Sequence, residues 1–374
     1  MLNILICKFP YASLYGGGEK HTFDLVENLQ KKNFTFYFAG SCPVLLAEFI
    51  KKNWLVRKTW GGKEPVAKWS LAVFFFIWPI IFLNLLRLLV VYKLKHKINI
   101  LYCLSLTEKI LLTLPARCMG IKVIWMEHKL IGNWLYLSPL KYLFILFSRL
   151  ALIITVSQTA KESITKLGVA EKNIQVIYNG VDLEKFLPRP SSLDNLSKEF
   201  RVGFIGRLDA EKGVKYLILA IAKLKTVIPQ IKLIIIGEGP DKKSLQMLIK
   251  DKGIADKVFF VGFQQNTAKW LANFDCLVLP SVKQESFGLV AAEALACLKP
   301  VIVTNIGGLK EVVADCGYLI EPHHSTGIAD ALITVYKNYH QALEKAKAGR
   351  LRVAENFSQE KMLENYAQTF QNLT

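Results

Sequence analysis

Short, almost uninterrupted apolar segments alternate with longer helical patterns along the whole chain. Ten of these segments have the composition of strands: residues 3–7, 34–40, 98–103, 122–127 and 150–157, then 201–206, 231–237, 257–262, 276–281 and 300–304. Strands that are apolar on both faces and separated by helices are typical of parallel sheets covered on both sides. The alternation therefore predicts an α/β protein with doubly wound sheets, which bind ligands at the carboxyl ends of their strands.

A chain of 374 residues is too long for one ordinary hydrophobic core, so two such domains are expected. Both patterns are interrupted over residues 179–200 by two prolines and a cluster of serine, asparagine and aspartate. We predict a first domain over residues 1–183 and a second over residues 184–357. A final helix over residues 358–374 is expected to pack back on the first domain.

The positive charge of the chain is concentrated in its first half. Residues 1–190 contain 25 lysines and arginines against 11 aspartates and glutamates, so they carry +14 of the net +18. This excess indicates an anionic ligand or surface, such as nucleic acid, phospholipid or a diphosphate, although solubility alone is the simpler explanation. Nucleic acid is disfavoured because no stacking-aromatic or recognition-helix signature accompanies the charge.

The seven cysteines are scattered, odd in number and contain no C-x-x-C pair. They argue for a reducing compartment, and against both a disulfide framework and a zinc site. The first residues, MLNILICKFPY, have no basic region before their apolar run. They are expected to form a first strand rather than a signal peptide.

Two apolar runs could be mistaken for membrane spans. Residues 69–92 contain one charge, Arg87, and residues 134–156 are also apolar. A crossing would separate strands of one parallel sheet, and Pro79 is expected to split the first run into halves too short to span. Three interpretations stay open: a transmembrane span, a buried helix pair, and shallow insertion into one leaflet. The last suits the lysines that flank the first run, at positions 58, 63, 68, 93, 95 and 97.

The stretch QESFGLVAAEAL, residues 284–295, predicts a buried helix that carries two carboxylates, Glu285 and Glu293. Burying a charged carboxylate is costly unless a partner compensates it. Eight helical residues rise about 12 Å, so the two carboxylates could hold hydroxyl groups at the two ends of an extended ligand. Free N–H groups where the helix begins would suit an anion between them. This describes a nucleotide-sugar, although two glutamates that cap and salt-bridge one helix are the simpler alternative.

Two cations follow a predicted strand in the second half. In GFIGRLDAEKGVKYL, Arg207 comes just past the strand and Lys212 lies five residues later. Fixed cations at the mouth of a parallel sheet are what a diphosphate requires. Two glycine-containing turns would let a ligand approach the backbone closely: IIIGEGPDKKSL with Gly237 and Gly239, and YGGGEKHTFDL with glycines 16–18.

Other functions of glycine loops are disfavoured. The absence of G-x-x-x-x-G-K-[ST] excludes a P-loop, and the incomplete G-x-G-x-x-G pattern at Gly237 weakens a dinucleotide-binding interpretation. No D-x-D sequence occurs either. We therefore expect neither a metal ion nor another cofactor, with Arg207 and Lys212 in place of a metal at the diphosphate.

Together, the segments GRLDAEKG, GEGP, PSVKQESFGLVAAEALA, KPVIVTNIGG and VIYNGVDLEKF resemble the retaining GT-B glycosyltransferases of family four, or glycosyl transferases group 1. The resemblance extends over nearly the whole chain and is densest from Val156 to Val313. It implies the GT-B fold, in which two Rossmann-like domains with parallel sheets face a central cleft. It also implies an acceptor-side first domain and a second domain that binds a nucleotide-sugar donor.

The resemblance implies roles for the residues that match. Glu293 would hold the ribose hydroxyls, and Glu285 would face the donor hexose near the reacting carbon. Arg207 and Lys212 would bind the diphosphate and stabilise its charge as it leaves. His128, directly after a strand, would contact the donor sugar, although alone it is more often an ordinary loop histidine. The other expected donor contacts are Gly17, Gly18, Gly262, Phe263, Phe287, Gly288 and Leu289.

The implied reaction is transfer of a hexose from a nucleotide-diphosphate sugar to an acceptor hydroxyl, with retention of configuration. We expect a lipid-linked or glycan acceptor, a role in cell-surface polysaccharide or glycolipid synthesis, and a peripheral position on the cytoplasmic face of the cell membrane. Two alternatives stay open: a nucleotide-sugar epimerase of GT-B fold, and a transferase that acts on a soluble acceptor. Residues 42–114 match nothing diagnostic, so the donor sugar, the base and the acceptor are not specified.

The chain departs from the family at Leu298. A glycine is usual between the positions of Cys297 and Lys299, and the leucine is expected to alter packing beyond the preceding helix. This departure need not affect catalysis.

Overall fold

The computed structural model describes residues 1–9, 16–188 and 198–374. The chain forms two compact units: unit 1 consists of Met1–Tyr178 and Met362–Thr374, and unit 2 of Asn179–Lys361. The boundaries between the units, after Tyr178 and after Lys361, therefore lie a few residues from the sequence-based boundaries at 183/184 and 357/358. Part of the predicted linker (residues 189–197) and the tyrosine that precedes the glycine loop fall outside the described residues.

Unit 1 contains a seven-stranded parallel sheet in the order β3-β2-β1-β4-β5-β6-β7. Its strands are β1 (Leu2–Lys8), β2 (Phe34–Gly40), β3 (Leu55–Lys58), β4 (Ile100–Cys103), β5 (Lys122–Glu127), β6 (Leu152–Thr155) and β7 (Ile174–Val176). Its helices are α1 (Gly17–Leu29), α2 (Pro43–Lys51), α3 (Lys68–His96), α4 (Leu106–Cys118), α5 (Asn133–Tyr136), α6 (Leu140–Ser148) and α7 (Gln158–Leu167).

Unit 2 contains a six-stranded parallel sheet in the order β10-β9-β8-β11-β12-β13, which repeats the order of the first six strands of unit 1. Its strands are β8 (Phe200–Ile205), β9 (Ile231–Ile236), β10 (Val258–Gly262), β11 (Cys276–Leu279), β12 (Val301–Thr304) and β13 (Tyr318–Ile320). Its helices are α8 (Val214–Leu224), α9 (Lys242–Asp251), α10 (Thr267–Leu271), α11 (Leu289–Ala296), α12 (Gly307–Val313), α13 (Ser325–Lys337) and α14 (Tyr339–Asn356). The prediction of two doubly wound α/β units is confirmed.

In each sheet the strand order reverses beside the first strand, between β1 and β4 in unit 1 and between β8 and β11 in unit 2. Loops that follow neighbouring strands diverge at such a point and leave a crevice at the carboxyl edge of the sheet. The residues singled out in the sequence analysis follow β1, β5, β8, β10 and β11, so the topology places them at these two edges.

The last helix, α15 (Gln359–Asn372), runs from the end of unit 2 into unit 1. Its Phe370 packs edge-to-face against Phe34 and Tyr102. The hydroxyl of Tyr366 donates a hydrogen bond to Sδ of Met126 at 3.2 Å. Both aromatic side chains are fully buried, so α15 completes the core of unit 1.

The expectation that Pro79 divides the first apolar run is wrong. Helix α3 runs unbroken for 29 residues with Pro79 inside it. A proline in a helix removes one backbone hydrogen bond and clashes with the preceding turn. Here Phe74 before it and Ile81 after it belong to the same buried core, which holds the two halves in line.

The interpretation of the two apolar runs as a buried helix pair is also wrong. By length and composition alone, the stretch Trp69–His96 could cross a membrane: its most apolar 18 residues have a mean hydropathy of 2.3, and 28% of them are buried. The second run, residues 134–156, is divided among α5, α6 and β6 instead of forming one helix. A large part of α3 is therefore apolar and exposed.

Leu298 occupies a backbone conformation that favours glycine. Its φ is +58°, and it lies just past α11, where the Leu298 amide donates to the carbonyl of Leu295 and the Lys299 amide to that of Ala294. This is the Schellman ending of a helix, which is usually glycine at the left-handed position. The departure from the family thus places a strained leucine at a helix end.

We expect the Leu298→Gly variant to be more stable than Leu298→Ala by about 1 kcal/mol, because a Cβ is disfavoured in the left-handed region. Both variants lose the leucine side chain, so their difference isolates the backbone effect. Urea unfolding of the two proteins measures it. An alanine variant at least as stable as the glycine variant would contradict this account.

Candidate active site

The turn after β8 holds Arg207 and Lys212 at the carboxyl edge of the unit 2 sheet. The side chain of Asp209 begins a short 3₁₀ turn, where its Oδ1 accepts from the Lys212 amide at 3.2 Å. Gly213 follows with φ +66°, and a Cβ there would lie 2.1 Å from the carbonyl oxygen of Pro280. The glycine therefore allows the turn after β8 to contact the loop after β11.

That contact brings Lys212 and Glu285 together. The Nζ of Lys212 lies 2.9 Å from Oε1 of Glu285, and both side chains are partly exposed. The hydroxyl of Ser281 donates to the same carboxylate oxygen. The expected partners are a diphosphate for Lys212 and a sugar for Glu285, whereas the structure pairs the two side chains directly. A bound anion would therefore compete with Glu285 for Lys212.

Arg207 is more open. Its Nε lies 3.0 Å from Oδ2 of Asp209, and 62% of its side chain is exposed. The contact with Asp209 is made through Nε, so the outer end of the guanidinium can donate two parallel hydrogen bonds to the oxygens of an anion. Arg207 and Lys212 thus present two cations on one turn.

The prediction that both glutamates lie on one helix is wrong. Helix α11 begins at Leu289, after Gly288 at φ +101°, so Glu285 lies in the loop before it and Glu293 inside it. The estimated separation along one helix axis therefore does not apply. A residue in the left-handed region cannot continue a helix, and the glycine turns the chain between the two carboxylates.

A pair of glycines that the sequence analysis assigned no role fixes the Glu285 loop. The amide of Gly308 donates to the carbonyl of Glu285 at 2.7 Å. A Cβ on Gly307 would lie 2.4 Å from that same carbonyl oxygen, and one on Gly308 would lie 2.5 Å from Cα of Phe287. The signal was available in the sequence, since both glycines follow closely on a predicted strand in KPVIVTNIGG.

The other expected donor contacts in unit 2 differ in exposure. Glu293 is 3% exposed, and Phe287 is equally buried against the ring of Phe357. The side chain of Phe287 therefore packs in the core of unit 2. In contrast, Phe263 is 60% exposed beside Gly262, which ends β10 at φ +81°. An exposed ring at the carboxyl edge of a sheet can stack on a planar ligand.

In unit 1, Gly17 and Gly18 begin α1 and differ in their surroundings. Among the described residues, a Cβ on Gly17 would meet nothing within 4 Å, whereas one on Gly18 would lie 3.2 Å from the ring of His128. Gly18 therefore makes room for the imidazole. The first amides of a helix are suitable partners for an anion.

His128 follows β5 directly and packs against a histidine that sequence reasoning missed. The rings of His128 and His21 are 4.7 Å apart and edge-to-face. Among the described residues, neither nitrogen of His21 has a hydrogen-bond partner, nor does the buried Nε2 of His128. Burial lowers the pKa of His21 to about 4. Burial, then His21 and nearby lysines, hold the pKa of His128 well below its ordinary value, so both rings are neutral hydrogen-bonding groups.

Two buried ion pairs surround these histidines, and neither was predicted. Lys8, at the end of β1, pairs with Glu19 of α1. Lys109 of α4 lies 2.6 Å from Glu127, at the end of β5, and also donates to the carbonyl of Met126. Buried charges are tolerated when paired in this way. They make the carboxyl edge of the unit 1 sheet strongly polar.

Glu108 is fully buried close to this edge. Its Oε1 accepts from the amides of Leu104 and Ser105, and burial raises its pKa to about 8 from an ordinary 4.5. Because the pKa is higher in the folded state, its contribution to stability is complete below about pH 4.5 and is lost as the pH rises through 8.

Between about pH 6.5 and 8.5, above the range in which the buried His21 and His128 titrate in the unfolded chain, we therefore expect the free energy of unfolding to fall, and Glu108→Gln to reduce that fall by on the order of 2 kcal/mol. Urea unfolding across this range measures it. The exposed Glu344→Gln serves as the control and should follow the wild-type curve. Parallel curves for Glu108→Gln and wild type would contradict the assignment.

Within the described ranges 1–9, 16–188 and 198–374, no group of three or more histidine, cysteine or acidic side chains is arranged to hold a metal ion. The unit 2 edge thus combines Arg207, Lys212, Glu285 and the exposed Phe263. The unit 1 edge combines the start of α1 with His128. Such arrangements suit an anionic ligand with hydroxyl groups and a planar ring.

Two family descriptions match the chain. Residues 15–185 match Glycosyltransferase Family 4, and residues 190–352 match Glycosyl transferases group 1. The chain therefore belongs to the family-four glycosyltransferases of GT-B fold. The resemblance to family-four glycosyltransferases noted from the motifs is confirmed, and retention of configuration stays a prediction.

Individual proteins of known name are similar to the chain over part of its length. The N-acetyl-alpha-D-glucosaminyl L-malate synthase of Bacillus anthracis is 36% identical over 204 residues, which is 52% of each chain. A Campylobacter jejuni enzyme named N-acetylgalactosamine-N,N'-diacetylbacillosaminyl-diphospho-undecaprenol 4-alpha-N-acetylgalactosaminyltransferase is 32% identical over 200 residues, 50% of this chain and 53% of that enzyme. The chain thus spans about half the length of the curated relatives it matches.

Solved structures support the fold over the whole chain. Anabaena HepE in complex with UDP superposes with a TM-score of 0.82, at 19% identity, over 100% of both chains. The same protein has been solved with UDP-glucose. At this identity the likeness establishes the GT-B fold.

Proposed function

We propose that the protein is a retaining hexosyltransferase that moves a hexose from a nucleotide-diphosphate sugar to an acceptor hydroxyl. The observation that carries this proposal is the contact of Lys212 with Glu285 beside Arg207, at the carboxyl edge of the unit 2 sheet. Two cations suit the diphosphate and a neighbouring carboxylate suits sugar hydroxyls. The Campylobacter jejuni relative is a sugar transferase by name, and UDP and UDP-glucose are bound by the structural neighbour HepE.

In the proposed reaction the bond between the anomeric carbon and the diphosphate oxygen breaks, and the acceptor oxygen forms its bond on the same face. The acceptor proton passes to the departing diphosphate. Arg207 and Lys212 stabilise the charge that develops there, which is the largest contribution expected from the protein. Glu285 orients the hexose, Glu293 binds the ribose, and neutral His128 offers a hydrogen bond to the donor sugar.

We further propose that the acceptor is lipid-linked and that the enzyme works at the cytoplasmic face of the cell membrane, in synthesis of a cell-surface polysaccharide or glycolipid. The exposed apolar side of α3 and the excess positive charge of the first half support this. One relative is named for an acceptor on diphospho-undecaprenol. Other relatives act on soluble molecules such as L-malate, by their names.

The proposed function is tested in two steps. A thermal-shift screen with UDP, GDP and their sugars should show stabilisation by one nucleotide series, because a ligand of the folded state raises its stability. The radiolabelled sugar of that series is then supplied with either a total lipid extract or water-soluble cell extract. Label in the lipid fraction supports the lipid-linked acceptor, and label only in soluble products overturns it. Conversion of the donor to a stoichiometric epimer without acceptor would favour the epimerase.

Activity is expected to survive EDTA, because the chain has no D-x-D sequence and Arg207 with Lys212 supplies the positive charge. The measurement is initial rate before and after exhaustive dialysis against EDTA, with magnesium restored in a parallel sample. Complete inhibition that magnesium reverses would show that a metal carries this charge.

A further inference from the structure

Helices α3, α4 and α6 cover the same face of the unit 1 sheet. Their buried residues join one core with sheet residues such as Leu5, Leu101 and Val123, and α4 contacts both α3 and α6. The opposite sides of the three helices therefore point the same way. We name as the outer face the exposed apolar residues on those sides: Trp69, Phe76, Ile80 and Leu83 of α3, Leu114 of α4, and Tyr142, Leu143 and Leu146 of α6.

The exposed residues of α3 form a stripe at helical spacing. Phe76 is 85% exposed, and Ile80 and Leu83 are each more than 60% exposed. They lie four and three residues apart, so they share one side of the helix. The buried Ile81 and Leu85 lie on the other side. The stripe is therefore the side of α3 turned away from the sheet, and α6 adds Leu143 and Leu146 to the same outer face.

The segment that carries the outer face, residues 65–160, has charge of one sign, and the exposed Glu162 on the neighbouring α7 lies beyond it. Residues 65–160 contain 11 lysines and arginines and only two carboxylates. Glu108 is fully buried, and Glu127 is largely buried and paired with Lys109. This stretch therefore shows no exposed acidic side chain. Its exposed basic residues are Arg87, Lys95, Lys97, Arg117, Lys129 and Arg149.

Each of the three exposed arginines follows an exposed leucine within about one helical turn. Arg87 follows Leu83, Arg117 follows Leu114, and Arg149 follows Leu146. Because α3, α4 and α6 connect parallel strands, the helices run in the same direction. The arginines therefore lie to the same side of the apolar groups, as charged groups do at the boundary between acyl chains and headgroups.

We propose that the outer face of α3, α4 and α6 lies flat on an anionic bilayer leaflet, with its apolar side chains among the acyl chains and its arginines at the phosphates. This inference rests on the proposed function and deepens it by naming the surface and its orientation. The two ends of α3 lead from β3 and into β4 of one parallel sheet, and its second half packs on that sheet, so the helix lies along the membrane instead of crossing it. A second copy of the chain is a poor occupant, because it would bring like charges together.

The decisive variant changes α6, which hydropathy alone does not single out. We expect Leu143→Gln/Leu146→Gln to lower binding to sedimented vesicles of phosphatidylcholine with phosphatidylglycerol by at least about tenfold, as should Phe76→Gln/Ile80→Gln. The control is Ile50→Gln, which changes an exposed apolar residue of α2 on the other side of the sheet and should bind as wild type does. Wild-type protein should bind vesicles of pure phosphatidylcholine more weakly than vesicles that contain phosphatidylglycerol.

Several results would overturn the proposal. These are full vesicle binding by the α6 variant, equal binding to neutral and anionic vesicles, and protease protection of the chain on only one side of α3, which would indicate a crossing. A concentration-dependent dimer that both double variants abolish, without vesicle binding, would identify a second copy as the occupant. The thermal shifts with UDP and with GDP are measured on the same samples: a shift verifies folding, and the absence of both shifts in wild type would count against the proposed function while leaving the vesicle result intact.

Discussion

Lys212→Met is expected to lower kcat/KM for the nucleotide-sugar donor by about 10²–10³-fold, with most of the loss in kcat. Removing one group that stabilises charge developing in the transition state commonly has an effect of this size. Lys212 is placed for that role on the turn after β8, and its present partner, Glu285, would give way to the diphosphate.

Lys215→Met is the matched control. Lys215 is an exposed lysine three residues further along, over the ring of Tyr216, and its loss should change kcat/KM less than twofold. A comparable loss in both variants would indicate a general effect of charge on donor capture. An unchanged kcat in Lys212→Met would remove the lysine from the reaction.

Glu285→Gln and Glu293→Gln are expected to separate turnover from affinity. Glu293→Gln should weaken donor binding by about 1.5–3 kcal/mol, the usual worth of a hydrogen bond to a charged group. Glu285→Gln should instead lower kcat about 100-fold with a smaller change in affinity, because its contacts matter most as charge moves at the hexose. Titration with the donor and single-turnover rates measure the two quantities.

The double variant Lys212→Met/Glu285→Gln supplies a further check. Residues in direct contact are not independent, so the combined loss should be smaller than the product of the single losses. The exposed Glu344→Gln is the control for carboxylate removal. Equal losses of affinity in both glutamate variants, with turnover unchanged, would refute the division of roles.

The central strands of both sheets were predictable because burial on two faces leaves near-continuous apolar runs. The strands missed by sequence reasoning, β3, β7 and β13, all lie at sheet edges. An edge strand is short and partly exposed, so its composition does not differ from that of a loop. Leu55–Lys58, for example, contains an arginine and a lysine.

The candidate site was predictable where a residue type implied its own chemistry, as with Arg207 and Lys212 after a strand. The conformation of the Glu285 loop could not be predicted, because it depends on contacts with Gly307 and Gly308, which follow the neighbouring strand β12. The ion pairs Lys8–Glu19 and Lys109–Glu127 were missed for a related reason. Each ion pair joins residues on two different secondary-structure elements, and their spacing in the sequence does not indicate that they are in contact.

The position of α15 has a consequence for the order in which the protein is made. Residues 1–178 of unit 1 are synthesised before unit 2, yet Tyr366 and Phe370, which fill part of the unit 1 core, follow unit 2 in the chain. Until the whole of unit 2 has been synthesised, Phe34 and Tyr102 have no cover from Phe370. During synthesis of unit 2, the core of unit 1 therefore lacks α15, and the apolar surface that α15 covers is exposed. Early attachment of α3 and α6 to a lipid surface would place the nascent unit at the membrane during that interval.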